Sequence, residues 1–392
     1  MAFSSSTVSP NDTVNVASIK SAVASTDGDV ALVPKGFGAV LAQVPDGTVA
    51  NGNKRGGFAV DWQTYRPLAD AVASGNGAVI SGGAGNKASG ELSAVSGGLT
   101  NYATAAYSNI GGGALNQATA RWASVSGGYN NTATEENTFI GSGISNVASA
   151  LAAVVVGGES NAASQQYSVI VGGRSNLAQN LYAFVGGGIE NTSSGEYSAT
   201  VGGYLNIASG NYSFIGGGVG NRANSTYSAV LGGAYGTTRG VSGYHAFPAC
   251  IAPIAVSAGA SQGGLLILGR QTTNGTSVVL RSTSAAADTT NQIILPNNSA
   301  FYFRGTVIAN VTGGGNTKSW TFDGQIKRGA NAASTTLTGS TVTSPYGDAG
   351  ASTWTVALSA DTTNGGLAVT VTGQASTTIR WVCRIETTEV TY

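Results

Sequence analysis

The sequence predicts an all-β chain built on a stacked parallel β-helix or β-roll, and three observations carry that prediction. Asn recurs at 86, 101, 116, 131, 146, 161, 176, 191, 206 and 221, always fifteen residues apart, with no insertion or deletion. A Gly follows each of them twelve residues later, from Gly98 to Gly233, and Gly83 begins that series. No Pro lies between Pro67 and Pro248, as expected where nearly every backbone N–H belongs to a ladder. An unbroken short period of this kind means like coils lying on one another. The unit reads Asn-x-Ala-x-x-x-Tyr-Ser-x-Val-x-Gly-Gly-x-x.

Composition narrows the class. The chain of 392 residues carries 18 basic and 18 acidic side chains, a formal net charge of zero. That balance offers no electrostatic footprint for nucleic acid or an anionic membrane. There are 59 Gly but only 8 Pro, which rules out a collagen-like helix. The start, Met1 to Thr7, lacks the basic stretch and apolar run of a secretory signal, and no segment is long and apolar enough to span a bilayer, so neither export nor membrane insertion is expected. Cys250 and Cys383 are expected to be buried and reduced rather than paired.

Three regions follow in order. Residues 1–75 read as irregular, with a short strand at 29–34, a turn at Pro45-Asp-Gly47, a loop at 51–57, and six of the ten Asp. Residues 76–244 form the array. Fifteen extended residues at about 3.3 Å each make a perimeter of roughly 50 Å, room for two or three short strands per coil. Period-two alternation turns the Val/Ile column (Val95, Ile110, Val125 and onward) inward together with the Ser two before it. Asn and the Ala two further on make the next inward face, the Asn side chains forming an amide ladder in which each donates to the next. Gly-Gly supplies a corner. The outward neighbours of the Val/Ile column include Phe139, Val154, Val156, Val169, Phe184, Val201, Phe214 and Leu231, too apolar for solvent. Three chains packed about the long axis would bury them, so a homotrimer is expected. Residues 245–392 lose the period. Seven or eight alternating strands, a hairpin turn at 362–366 and core aromatics Trp320, Trp354 and Trp381 predict a β-sandwich, jelly-roll-like domain.

Residues 28–36, then Pro45-Asp-Gly47, 53–56 and 59–63, leading through Val72–Gly75 into the Gly-Gly-x-x-Asn-x-Ala repeats, resemble the N-terminal part of bacteriophage tailspikes and tail fibres. The stretch from Phe301 to Tyr392 resembles the distal domain of tail fibres. The repeats are also similar to the β-roll heads of trimeric autotransporter adhesins, although the signal peptide and membrane anchor of that family are not seen. The tail-protein resemblance implies virion attachment through residues 1–75, a shaft at 76–244, and a C-terminal domain that binds a host surface receptor, with glycan as the expected partner.

Many tailspikes cleave glycans, which needs two carboxylates about 5 Å or 6.5–9.5 Å apart. Glu91, Glu136 and Glu196 share a coil phase but are separated by three and four coils, and adjacent Glu135 and Glu136 point to opposite sides. His245 has no nucleophile or metal-site companions, and is read as a surface or junction residue. No cofactor or metal is expected, nor is an enzyme. Tyr107, Trp122, Tyr167, Tyr182, Tyr197, Tyr212 and Tyr227 share one phase; exposed rings could stack on sugars, but a structural ladder is favoured. The candidate receptor-binding residues are Tyr346 and Asp348, read as a turn that joins an aromatic and a carboxylate. The expected function is a host-recognition tail protein of the virion. A polysaccharide-cleaving tailspike and a trimeric capsid decoration protein are the alternatives.

Overall fold

The computed structural model describes residues 39–43, 45–251 and 253–392; the expected strand at 29–34 lies outside them. It is nearly all β. Each fifteen-residue coil contributes three rungs. Taking the coil from Asn101, these are Tyr102–Ala103, Asn109–Ile110 and a bridge residue at Ala114. Every rung pairs in parallel with its counterpart fifteen residues on, as in Asn109↔Ser124, Gln117↔Thr132 and Ala114↔Tyr129. The result is a three-sided solenoid.

The inward columns are those the alternation predicts. Ile110, Val125, Ile140, Val155 and Ile170 are fully buried, as are Ala103, Ala118 and the whole Asn series. Two branched or methyl side chains and one amide per coil make a core thin enough for coils of this size. The Asn column is wired differently from a simple amide chain. Asn116 Nδ2 donates to the carbonyls of Gly112 (3.0 Å) and Gly128 (2.9 Å), while its Oδ1 accepts the backbone N–H of Asn131 (3.0 Å). Side chain to side chain bonds, such as Asn116 Nδ2 to Asn101 Oδ1 at 3.1 Å, are added at some levels and missing at others. The amide is thus spent chiefly on main-chain groups at the corner: it supplies a donor to the Gly112 carbonyl and an acceptor to the Asn131 N–H, and adds a second donor to the Gly128 carbonyl, which also takes the Ala114 N–H.

Three corners per coil close the path. At Gly113 φ is +84°, and a Cβ there would sit 2.1 Å from Gly128 O, so only glycine fits. The other two corners are left-handed at non-glycine residues: Tyr107 (φ +61°) and Leu115 (φ +59°), repeated one coil later at Trp122 and Asn130.

The parallel ladder reaches beyond the fifteen-residue period at both ends. Val40 pairs with Val60 and Val60 with Val79, rungs separated by 20 and 19 residues. At the second of these rungs, after Leu41, the inward column is occupied by Asp61, buried with Arg55 (2.8 Å) and Arg66 (3.5 Å). Gln63 starts the Asn column: its Oε1 accepts the Asn86 N–H at 2.9 Å. A polar plug therefore caps the apolar stack.

At the other end Ala229–Val230 pairs in parallel with β1 (His245–Pro248), whose far edge pairs antiparallel with β2 (Ser261–Thr272). One 19-stranded sheet consequently runs from the shaft into the C-terminal domain. There it continues antiparallel through β2, β10 (Ile379–Thr391), β5 (Ser299–Val311), β6 (Thr317–Arg328) and β7 (Thr336–Gly347). A second sheet of β3 (Ser277–Val279), β4 (Ile293–Ile294), β8 (Thr355–Asp361) and β9 (Gly366–Thr372) packs on it as a sandwich. The turn at 362–365 joins β8 to β9, with Gly365 at φ +79°. Between the layers Trp381 meets Trp320 and Trp354, ring centroids 5.5 and 5.9 Å apart. That core is continuous with Ile215 and Val230 of the last coils.

Candidate functional site

The outer face of the long C-terminal sheet is uncovered, and alternation decides what it shows. In β10 the residues Trp381, Cys383 and Ile385 are buried, so Val382, Arg384 and Glu386 face out. Strand register assembles these into rows. One row joins Val382, Ile308, Ser319 and Tyr346; the next joins Ile267, Arg384, Thr306, Thr321 and Thr343; a third joins Leu265, Glu386, Arg304 and Asp323. An apolar row and a charged row therefore flank a mixed row that carries Arg384.

The charged row is tightly paired. Glu386 accepts from Arg304 Nε at 2.8 Å and Nη2 at 2.7 Å, and its other oxygen takes Arg384. The hydrogen bond from Arg304 holds the Glu386 carboxyl below the usual carboxylate range, so it is ionised at neutral pH. These three side chains, with Thr306, Thr321 and Phe322, line a shallow cavity of about 270 Å³. A carboxylate clamped by two guanidinium groups is a poor proton donor but a well-oriented polar contact.

The segment expected to be a turn, Ser344 to Gly347, is strand instead. It belongs to β7, where register slips between Ser319↔Tyr346 and Thr321↔Thr343, leaving Ser344 and Pro345 bulged opposite Trp320. Pro has no N–H to give a ladder, and an edge-strand bulge is where that costs least. Tyr346 stands in the apolar row and is 78% exposed. Asp348 is tied back into the fold: its Oδ2 accepts the Thr317 N–H at 2.7 Å, and its own N–H donates to Thr317 O at 3.0 Å. The two residues thus have different surroundings, one open and one already bonded.

The aromatic column forms a true stack. From Tyr167 to Tyr227 successive rings lie 4.8–5.0 Å apart and within 12° of parallel. Their faces cover one another, so a sugar could reach edges and hydroxyls but few ring faces. Tyr107 and Trp122 stack more loosely at 6.0 Å, with the Arg121 guanidinium 3.7 Å over the Trp122 ring. His245 is exposed on β1 at the junction. Cys383 is buried, which pushes its thiol up, and no disulfide joins it to Cys250; Cys250 is exposed, because it follows the end of β1 rather than lying in a core strand, against the expectation for that thiol. Among the described residues no group of three His, Cys, Asp or Glu could hold a metal ion, and no helix is long and apolar enough to cross a membrane.

Sequence reading missed a buried polar junction. Glu389 of β10 accepts from Arg239 Nε (2.7 Å), Gln262 Nε2 (2.8 Å), Thr387 Oγ1 (2.6 Å) and the Tyr244 hydroxyl. Gln262 also brackets Thr237, donating to its carbonyl and accepting its N–H. The network welds the last coil to the sandwich. One signal for it was present, since the alternation that buries Ile385 also turns Thr387 and Glu389 inward.

The fold and these surfaces define a β-solenoid protein of fifteen-residue coils with a C-terminal β-sandwich. No protein-family model matches the sequence, and no curated protein does.

Proposed function

We propose that this chain is a structural, non-enzymatic protein of a bacteriophage tail, a tailspike or tail fibre that attaches the virion to its host. Residues 1–75 would join other tail proteins, the solenoid would act as a spacer, and the C-terminal sandwich would bind a host surface receptor such as a glycan. The chain would work as a homotrimer. One observation carries the reading: an apolar stripe outside the thin core, including Phe139, Val156, Val171, Val201, Phe214 and Leu231, is exposed in the single chain. The sheet bearing it runs on without a break into the outer face that holds Ile267, Ile308, Val382 and Tyr346. Exposed apolar area of that length is the mark of an interaction surface. A closed threefold arrangement would cover the shaft portion on every chain alike.

Sedimentation and negative-stain imaging of the full chain are expected to give a three-subunit rod with a knob. The purified protein is expected to block adsorption of phage to host cells. A compact monomer would end the trimeric reading. Loss of viscosity in host capsular polysaccharide would favour the cleaving tailspike, and label spread over the whole shell would favour a capsid decoration protein.

A further inference from the structure

A second recess lies where the second ladder ends, past the Arg222↔Thr237 bridge, on a different side of the coil from the apolar stripe. It is a cavity of about 390 Å³ between the last coil and the sandwich, within the size range of small-molecule sites. Asn224, Thr237 and Arg239 come from the coil, the 294–296 segment forms an apolar floor, and Arg328 closes it from the end of β6.

The lining is rich in donors and contains no Asp or Glu. Arg239 is neutralised from behind by Glu389. Arg328 is not: one of its N–H groups goes to Leu295 O at 2.6 Å, its Nε is buried without a partner, and none of the ion pairs among the described residues includes it. Asn224 spends its Oδ1 on the Thr238 hydroxyl and the Gly240 N–H, which leaves its Nδ2 to donate elsewhere. A half-buried guanidinium without a carboxylate is a costly arrangement that an anion would relieve. Arg328 also borders an adjoining hollow of about 420 Å³ beside Lys327 and Tyr392, which lengthens the recess.

We propose that this recess binds a carboxylate-bearing saccharide, with the acid group on Arg328, hydroxyls on Asn224 and Thr237, and the apolar face of the ring on Ile294 and Pro296. The proposal rests on the attachment reading and assigns it a receptor class, the uronic-acid glycans.

The test is calorimetric titration of the full chain with hexagalacturonate, with its carboxyl-reduced counterpart, and with inorganic phosphate. Only hexagalacturonate is expected to bind. Arg328→Gln should weaken it roughly tenfold or more, the usual consequence of losing a charge-assisted hydrogen bond. Asn224→Ala, at an exposed side chain, should weaken it several-fold and covers the case in which Arg328→Gln does not fold. Equal binding of the reduced sugar, competition by phosphate at similar concentration, or unchanged affinity in both variants would overturn the assignment. Labelled wild-type protein that coats host cells yet ignores hexagalacturonate would also overturn it while leaving the attachment reading intact; protein that coats no cells would remove that reading as well.

Discussion

In the shaft a residue meets the same partners again and again, fifteen places before and fifteen after, whereas in the sandwich Trp381 bonds Thr272 across 109 residues of chain and stacks on Trp320 and Trp354. The shaft core is one Val or Ile per coil (Thr at 200), small side chains and an amide; the sandwich core is rich in aromatics. Nearest-neighbour stacking makes damage local, since each rung depends only on those beside it. A core assembled from distant strands fails as a unit. Thin coils therefore rely on satisfied polar groups where the sandwich relies on buried area.

The largest effect should come from the amide column. Asn146 Nδ2 donates to Ser142 O (3.1 Å) and Gly158 O (2.9 Å), and its Oδ1 accepts the Asn161 N–H (3.0 Å). Asn146→Ala takes the partner from two main-chain groups, the Ser142 carbonyl and the Asn161 N–H, while Gly158 O keeps the Ile144 N–H, so at about 1–3 kcal/mol each a loss of about 2–6 kcal/mol is expected. Hydrogen exchange should show the loss centred on the coils either side of residue 146, with the sandwich still protected. Exchange that rises equally in both regions would break the contrast.

Trp381→Ala tests the other half. Its indole Nε1 donates to Thr272 Oγ1 at 3.0 Å and its ring sits between two other Trp rings. A loss of about 3–5 kcal/mol is expected. Here exchange should rise across β2, β5, β9 and β10 together, while coils near residue 140 stay closed. Melting confined to β10 would show that the sandwich is less cooperative than its core implies.

The two regions also differed in how far they could be read in advance. The shaft was legible because one coil repeats: the Asn, Ala and Val/Ile columns and the glycine corner all follow from period and alternation. The left-handed corners at Tyr107 and Leu115 were not, since nothing in a Tyr or Leu side chain announces positive φ. The first rungs at Val40 and Val60 were hidden because coils of 20 and 19 residues break the period. In the sandwich, β7 escaped notice because its Thr, Ser and Gly residues are exposed on both faces and carry no alternation. The same strand made Tyr346 look like part of a turn. Arg328 gave no hint of its recess, which is assembled by a coil, a loop and a strand far apart in sequence.

The weld between the regions should respond to pH. Burial, with the nearby charge of Glu389 adding to it, holds the Tyr244 hydroxyl well above its usual value. The unfolded chain releases that proton near pH 10 while the folded chain keeps it. The folded state then binds more protons, so the contribution of Tyr244 is complete below about pH 10 and declines as pH rises beyond it. Tyr244→Phe should cost about 1–3 kcal/mol at neutral pH, because Glu389 loses a donor. It should also flatten the alkaline decline relative to the parent chain. The two proteins are otherwise identical, so the difference between them isolates the junction. Identical alkaline curves would mean that the weld does not open through this group.

The smallest effect is the most specific to the shaft. Tyr197 holds φ +54°, a conformation that costs an L residue roughly 1–2 kcal/mol, and offsets it by stacking on Tyr182 at 4.8 Å and Tyr212 at 5.0 Å. Tyr197→Ala loses both stacks and keeps the strain. Tyr197→Gly loses the same stacks but relieves the strain, so it should be the more stable of the two by about 1 kcal/mol in denaturant midpoint. Were the two variants equal, the corner would carry little strain, and were both equal to the parent, the ring column would contribute nothing. Were Gly the weaker, the extra freedom glycine gives the unfolded chain would outweigh the strain it relieves. The expected order, parent then Gly then Ala, ties the column to the corner it stabilises: stacked rings hold a backbone turn that their own side chains make awkward, one coil after another.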